Sequence, residues 1–503
     1  MASNAKPFPL LAVTLCIGLS PAYSRAESAQ VHIDSGVLVG TASAGVESFK
    51  GIPYAAAPVG ELRWRAPRAP ASWRQPRAAA DFGASCPQTP PPRVPAGSGA
   101  EHTSEDCLTL NVWAPSPAVK SAPVMVWIHG GSNTQGTGAG VYYDGSAFAR
   151  DGVVLVTINY RLGLLGFFAH PALAREAAGG ATANFGLLDQ LAALAWVKRN
   201  IAALGGDPGN VTVFGESAGA EDTVALLASP ASKGLFQKAI VESAPLDDEW
   251  PTLAEASSAG ARTATALGLS GDQATAAQLR AIPMQRLVQD DLRGSTPVID
   301  GVLLREAPLK ALTDGVGIDV PLVIGTNGNE GSLLGANPDL KYFDGINLAA
   351  LRTLYGTPSE SDAEVARRLF RDSRFAIPAR RIAGHRAGTA PAYLYRFDYV
   401  LSLLRARRTG ADHGSEIPYV FSTWGVYPIS ETDHSVTDVM HSCWVAFARG
   451  GAPTCKGAPA WPAYQPQSDL LMHFRDQAVV EKTPDAAALD AIARHDAQDH
   501  AGK

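Results

Sequence analysis

Val211-Thr212-Val213-Phe214-Gly215-Glu216-Ser217-Ala218-Gly219 is the stretch whose reading decides the fold. Its apolar, β-branched opening reads as a buried strand, and Ala220 to Leu227 then reads as helix. Between the two lies G-x-S-x-G, the pattern that sets a serine on a sharp strand-to-helix turn with its hydroxyl projecting beyond the sheet. Side chains at the flanking glycines would clash in so tight a turn. Working upstream, Gly205-Gly206-Asp207-Pro208 ends a segment in which Leu187, Leu191, Leu194, Val197 and Ile201 recur at helical spacing as one apolar stripe. Before it, Val124 to Ile128 and Val153 to Ile158 are short apolar runs of the kind buried on both faces of a parallel sheet. Strand, helix and strand in this order imply a right-handed crossover, so the fold class is α/β with helices on both faces of a large, mostly parallel sheet.

A serine hydroxyl is a weak nucleophile until a base takes its proton. Histidine suits that task because its pKa lies near working pH. Of the eleven histidines, His413 stands late in the chain in the polar loop Ala411-Asp412-His413-Gly414-Ser415-Glu416, ahead of an apolar run. His129 reads as a side chain supporting a glycine loop, and His170, His495 and His500 read as surface residues. The acid that orients the base should fall between serine and histidine in the chain. Glu330 is best placed, in a loop after the strand Pro321 to Gly325; Asp300, after Pro297-Val298-Ile299, is the rival. Ile128-His129-Gly130-Gly131-Ser132 supplies a glycine turn after a strand. The amides of Gly131, Ser132 and Ala218 are the candidate oxyanion-hole donors, which stabilise charge building on a carbonyl oxygen.

The chain has 503 residues, 46% hydrophobic and 18% charged, enough apolar material for a large core. A net charge of −6 without a basic patch argues against a nucleic-acid partner. Lys6, the apolar run Phe8 to Leu19 and small residues up to Ala26 describe a signal peptide, cleaved after Ser24 or Ala26. The run is too short to span a bilayer, and Val13-Thr14-Leu15 before Cys16 lacks the small residue of a lipid-anchoring site. The expectation is an exported protein, secreted or periplasmic, without a membrane anchor. Residues 27–495 read as one domain, with no internal repeat, and 496–503 as a polar tail. Export leaves Cys86, Cys107, Cys443 and Cys455, whose shortest loops join Cys86 to Cys107 and Cys443 to Cys455. The proline-rich segment Pro87 to His102 then becomes a stapled surface loop. No cysteine pair has zinc-site spacing, and no metal or cofactor is expected.

With these residues in view, the sequence resembles the type-B carboxylesterase family, which includes cholinesterases and bacterial para-nitrobenzyl esterases. The resemblance rests on Phe49-Lys50-Gly51-Ile52-Pro53-Tyr54, Leu62-Arg63-Trp64, Glu105-Asp106-Cys107-Leu108, Asn159-Tyr160-Arg161, Gly215-Glu216-Ser217-Ala218-Gly219 and His413-Gly414-Ser415-Glu416. It implies the α/β-hydrolase fold, Ser217 as nucleophile, Glu330 as acid, His413 as base and a Cys86–Cys107 disulfide. The expected activity is hydrolysis of a small-molecule carboxylic ester through an acyl-enzyme. A non-catalytic binding or adhesion protein on the same fold, or an acyltransferase, are the alternatives.

Two departures from the family pattern stand out. Ser132-Asn133 replaces a small residue followed by an aromatic one, which predicts a more polar gorge wall. Glu221 and Asp222 occupy a helix start where the family keeps small residues; they read as acids favouring the positive helix end, with substrate contact as the rival reading. No tryptophan lies between Cys86 and Cys107, where choline-hydrolysing relatives keep their cation-binding indole, and that loop is short and polar. Both features point to a soluble or moderately sized ester rather than choline esters or lipid droplets. Acyl-pocket residues are expected on loops such as Gln289 to Thr296. The sequence leaves the natural ester and the oligomeric state open.

Overall fold

The computed structural model describes residues 27–89, 102–177, 179–180, 182–289, 296–335, 337–343, 347–385, 390–425 and 427–501. The signal-peptide reading, Cys16, most of the proline-rich loop and residues 290–295 of the expected acyl-pocket loop lie outside them.

Apolar runs that alternate their side chains between two covered faces build the centre of the molecule. Val124, Val126 and Ile128 pack into one core while Met125 and Trp127 pack into the other, and all five are fully buried. They belong to a sheet of thirteen strands among the described residues. These are β1 (Glu27–Ile33), β2 (Gly36–Ser43), β3 (Val46–Pro53), β4 (Arg77–Ala78), β5 (Thr109–Pro115), β6 (Ala122–Ile128) and β7 (Val154–Ile158), followed by β8 (Gly206–Glu216), β9 (Lys238–Glu242), β10 (Leu322–Asn327), β11 (Ala392–Phe397), β12 (Leu470–Phe474) and β13 (Val479–Lys482). The order is β1-β2-β3-β5-β7-β6-β8-β9-β10-β11-β12-β13, with β4 beside β2. From β7 to β12 every pairing is parallel. The amino-terminal strands β1, β2, β3 and β5 add antiparallel pairs at one edge, and β13 does so at the other.

The crossover helix Phe185–Asn200 stands between β7 and β8 as expected, but its burial is broader than one stripe. Leu191 is only half-buried, whereas Asp189 and Gln190 are fully buried. Packing on more than one side explains this, and Asp189 and Gln190 each make buried hydrogen bonds. Asp189 accepts from Arg161 Nε and Nη2, both at 2.7 Å, and from the Arg161 amide at 3.0 Å. After the helix, Gly205 turns left-handed (φ 83°), and β8 begins at Gly206, five residues before the apolar run at Val211.

Both expected disulfides are present: Cys86–Cys107 closes a separation of 21 residues and Cys443–Cys455 one of 12. The second ties the long helix Glu431–Gly450 to the segment that follows it. Beside the first, Gln88 exchanges two hydrogen bonds of 2.8 Å with the backbone of Gly136, fastening the stapled loop to the turn after β6. Two surface readings change. His170 is buried and caps the helix Pro171–Glu176, accepting from the Ala172 amide at 3.1 Å while its other ring nitrogen reaches Gly271 O. A helix, Ala486–Ala501, runs through most of the stretch read as a polar tail.

Closing a loop of about 20 residues is worth roughly 3 kcal/mol by chain entropy. A Cys86→Ala/Cys107→Ala protein should therefore unfold at lower urea concentration than wild type, and reductant should reproduce the change; an unaltered midpoint would show that the bridge contributes nothing.

Candidate functional site

Ser217 follows β8 directly and precedes the helix Ala218–Ala228. Its backbone sits at φ 56°, ψ −126°, a conformation L-residues avoid. Closeness of neighbouring backbone makes the two flanking glycines obligatory. A Cβ on Gly215 would lie 2.5 Å from Gly219 O, and one on Gly219 would lie 2.1 Å from Ile128 O. The turn is held from the neighbouring strand, since the Ser217 amide donates to Glu242 O at 2.9 Å.

Beside this elbow the chain leaves β6 through His129 to Asn133. Gly131, Ser132 and Asn133 all have positive φ, at 107°, 54° and 55°. A Cβ on Gly130 would approach Ser217 Cβ to 3.0 Å, so the glycine lets the loop lie against the serine. Among the described residues, no group accepts a hydrogen bond from the amides of Gly131, Ser132 or Ala218. His129 supports the loop as read: its ring stacks on Tyr160 at 4.6 Å and its Nδ1 lies 2.9 Å from Gly130 O. Burial lowers its pKa to about 4, so it is neutral and Nδ1 donates.

Glu330 and His413 come together from separate loops. Glu330 Oε2 lies 2.5 Å from His413 Nδ1, and Glu330 Oε1 accepts from the Asn327 amide at 2.7 Å. The two loops are stitched: the Asn329 amide donates to Ala411 O, Asn329 Nδ2 to Asp412 Oδ1, Asn327 Nδ2 to Asp412 O and the His413 amide to Ser332 Oγ. Phe375 sets its ring edgewise against the imidazole at 5.6 Å. Asp300, the rival acid, is elsewhere engaged; its Oδ1 accepts from the amides of Val302, Leu303 and Leu304. It is a turn-forming residue.

His413 Nε2 faces the elbow, 3.2 Å from Oε1 of Glu216, the side chain immediately before Ser217. Burial disfavours the imidazolium, but the nearby Glu216 and Glu330 outweigh it and push the His413 pKa upward. Glu216 and Glu416 are themselves pushed up, first by burial and then, in part, by Glu330. Glu242 is held well above its ordinary value by burial, with Glu416 adding to it, while its Oε1 accepts from Trp444 Nε1 at 2.8 Å. Reading the sequence missed this buried carboxylate group around the histidine. Its signals were present in Glu216, inside the elbow motif, and Glu416, three residues after His413.

A cavity of about 420 Å³ borders His413, lined by Tyr142, Leu401, Leu404, Trp424 and Tyr427 among others. Asn133 does not contribute the polar wall expected of it. It is fully buried, its amide turned to Asp222 Oδ1 at 3.1 Å. Asp222 in turn is fully buried and accepts from Gln190 as well, so tertiary hydrogen bonds rather than the helix dipole account for it. Glu221, half-buried beside it, has its carboxyl pushed up to about 8, by burial first and then by Asp222 and Asp247.

The carboxylesterase family model matches residues 27–345 and 347–492. The chain belongs to the carboxylesterase family. It is 38% identical over 470 residues to the fumonisin B1 esterase of Sphingopyxis macrogoltabida, covering 88% of this chain and 85% of that protein. It is 37% identical over 479 residues to the para-nitrobenzyl esterase of Bacillus subtilis strain 168, covering 90% and 96%. Among solved structures, a para-nitrobenzyl esterase superposes with a TM-score of 0.79 at 35% identity, over 92% of this chain and 99% of the other. A thermophilic para-nitrobenzyl esterase does so with a TM-score of 0.80. The sheet is therefore that of the α/β-hydrolase fold, and this carboxylesterase is a carboxylic ester hydrolase.

Glu216 favours the charged imidazole, so removing its charge should let His413 lose its proton at lower pH. In Glu216→Gln the titration of the His413 ring, followed by ¹⁵N NMR, should move down by about one pH unit. An unmoved or raised titration would show that Glu216 does not act on the ring.

Proposed function

We propose that this carboxylesterase cleaves its ester through an acyl-enzyme, with Ser217 as nucleophile, His413 as general base and Glu330 as the acid that orients it. The 2.5 Å contact between Glu330 Oε2 and His413 Nδ1, with Nε2 turned toward the elbow, carries this reading. Ser217 Oγ attacks the ester carbonyl as His413 Nε2 takes its proton. The carbonyl oxygen becomes an oxyanion facing the amides of Gly131, Ser132 and Ala218. Collapse expels the alcohol, which takes the proton from His413 and leaves Ser217 acylated. Water, deprotonated by His413, then attacks the acyl carbon; the acyl–Oγ bond breaks as His413 returns the proton to Ser217 Oγ, and the acid is released. Glu330, held against His413 Nδ1, orients the ring and stabilises the imidazolium.

A soluble ester of moderate size is part of the proposal, supported by the short, polar segment between Cys86 and Cys107. Retention of a strained elbow, a base and an acid favours catalysis over a binding role on the same fold. Export is part of the proposal, supported by the apolar run Phe8 to Leu19 and the two disulfides. No helix of the described residues is long and apolar enough to cross a membrane.

Assays on graded short-chain p-nitrophenyl esters should show that Ser217→Ala loses on the order of a million-fold in kcat. Glu330→Gln should lose roughly ten-thousand-fold while unfolding at the wild-type temperature. Near-normal turnover in either would remove that residue from the mechanism. Amino-terminal sequencing of the exported protein should begin at Arg25 or Glu27; a mature chain that still carries Phe8 to Leu19 would contradict the signal peptide.

A further inference from the structure

Asn133 and Asp222, 89 positions apart in the chain, meet in the structure. Asn133 Nδ2 donates to Asp222 Oδ1 at 3.1 Å, and both side chains are fully buried. The site explains why this pair matters. Its three candidate donor amides, without an acceptor among the described residues, come from two elements, Gly131 and Ser132 from the loop after β6 and Ala218 from the elbow helix, and an oxyanion is held well only if both sit correctly. Asn133 follows Ser132 directly, and Asp222 lies one turn along the helix from Ala218.

Further bonds make the contact a brace. The Tyr160 hydroxyl shares its hydrogen between Asn133 Oδ1 at 3.0 Å and His129 O at 2.8 Å, so it grips both ends of the loop. Asn133 O accepts from the Gly163 amide at 2.6 Å. Asp222 Oδ2 accepts from Gln190 Nε2, at 2.5 Å, on the crossover helix. Asn133 thus has its amide, its side-chain carbonyl and its backbone carbonyl all engaged, in a left-handed conformation that asparagine tolerates.

We propose that Asn133 and Asp222 are positioning residues, a buried polar brace that fixes the oxyanion loop against the elbow helix and so sets the donor geometry for the transition state. The proposal rests on the serine mechanism above. It goes beyond a structural contact because the brace should act on the tetrahedral state and leave ground-state binding nearly untouched.

Donor and acceptor can be exchanged without losing a bond. In Asn133→Asp/Asp222→Asn, the new carboxylate accepts from Tyr160 and from the residue 222 amide, whose carbonyl still accepts from Gln190. Asn133→Asp alone sets two carboxylates against each other. It should lower kcat about a hundredfold, the scale of one misplaced oxyanion donor, with KM changed by less than about threefold. Adding Asp222→Asn should restore kcat to within about fivefold of wild type. Asn133→Gly, which keeps the left-handed backbone, should lose about tenfold in kcat and bind an aryl trifluoromethyl ketone, a tetrahedral-state mimic, correspondingly more weakly. If the aspartate single variant does not fold, the exchanged pair and Asn133→Gly still decide. The brace is overturned if folded Asn133→Gly keeps kcat and ketone affinity within about twofold of wild type, or if a folded exchanged pair stays as slow as Asn133→Gly. Wild type that fails to label at Ser217 with a fluorophosphonate would instead sink the serine mechanism.

Discussion

The backbone of Ser217 is the constraint on which the site depends. At φ 56° and ψ −126° it costs on the order of 1–3 kcal/mol, and it persists only because its surroundings leave no alternative. The bond from its amide to Glu242 O ties it to β9, and the Gly219 position lies so close to Ile128 O that no side chain fits between. The elbow is therefore wedged between the ends of β6 and β9. Parallel strands in register bring those ends to one edge, with Ile128 opposite Gly215 and Glu216 opposite Glu242.

From that edge the remaining parts follow with less freedom than the chain length suggests. The loop after β10 and the loop after β11 both leave the carboxyl side of the sheet, where sites of open α/β folds assemble. Their mutual hydrogen bonds through Asn327, Asn329 and Ser332 turn two connections into one platform for Glu330 and His413. Around it the interior holds several carboxylates, and burial raises Glu216, Glu242 and Glu416 above their ordinary range. Glu216 and Glu416 act on the charge of the imidazole and on each other, and Glu242 acts through them, so the electrostatics belong to the group rather than to any one member.

Much of this was legible in the sequence, and the residues show why. Val124 to Ile128 is apolar on both faces and Val211 to Phe214 nearly so, the pattern of strands covered on both sides in a parallel sheet. The elbow glycines announce a turn no other residue could make. Asp300 and Glu330 both lie between Ser217 and His413 in the chain, and strand-end placement favoured Glu330; the structure sets it against His413 while Asp300 caps a turn. What could not be read are partnerships between distant positions. Asp222 looked like a helix-start acid because local pattern carries no trace of Asn133, and Asn133 looked like a gorge residue for the same reason. His170 looked exposed because the glycine it meets, Gly271, lies 101 residues away. The helical stripe erred in the same direction, since a helix packed on several sides buries Asp189 and Gln190 along with its leucines.

The central claim is that the strained serine, and no other residue, is the nucleophile and that His413 activates it. Intact-protein mass spectrometry after treatment with a fluorophosphonate, followed by peptide mapping, tests it most directly. A single adduct on Ser217, formed rapidly in wild type and at least about a thousandfold more slowly in His413→Ala, is the predicted result. An adduct on another residue, or labelling of Ser217 at an unchanged rate without His413, would contradict it.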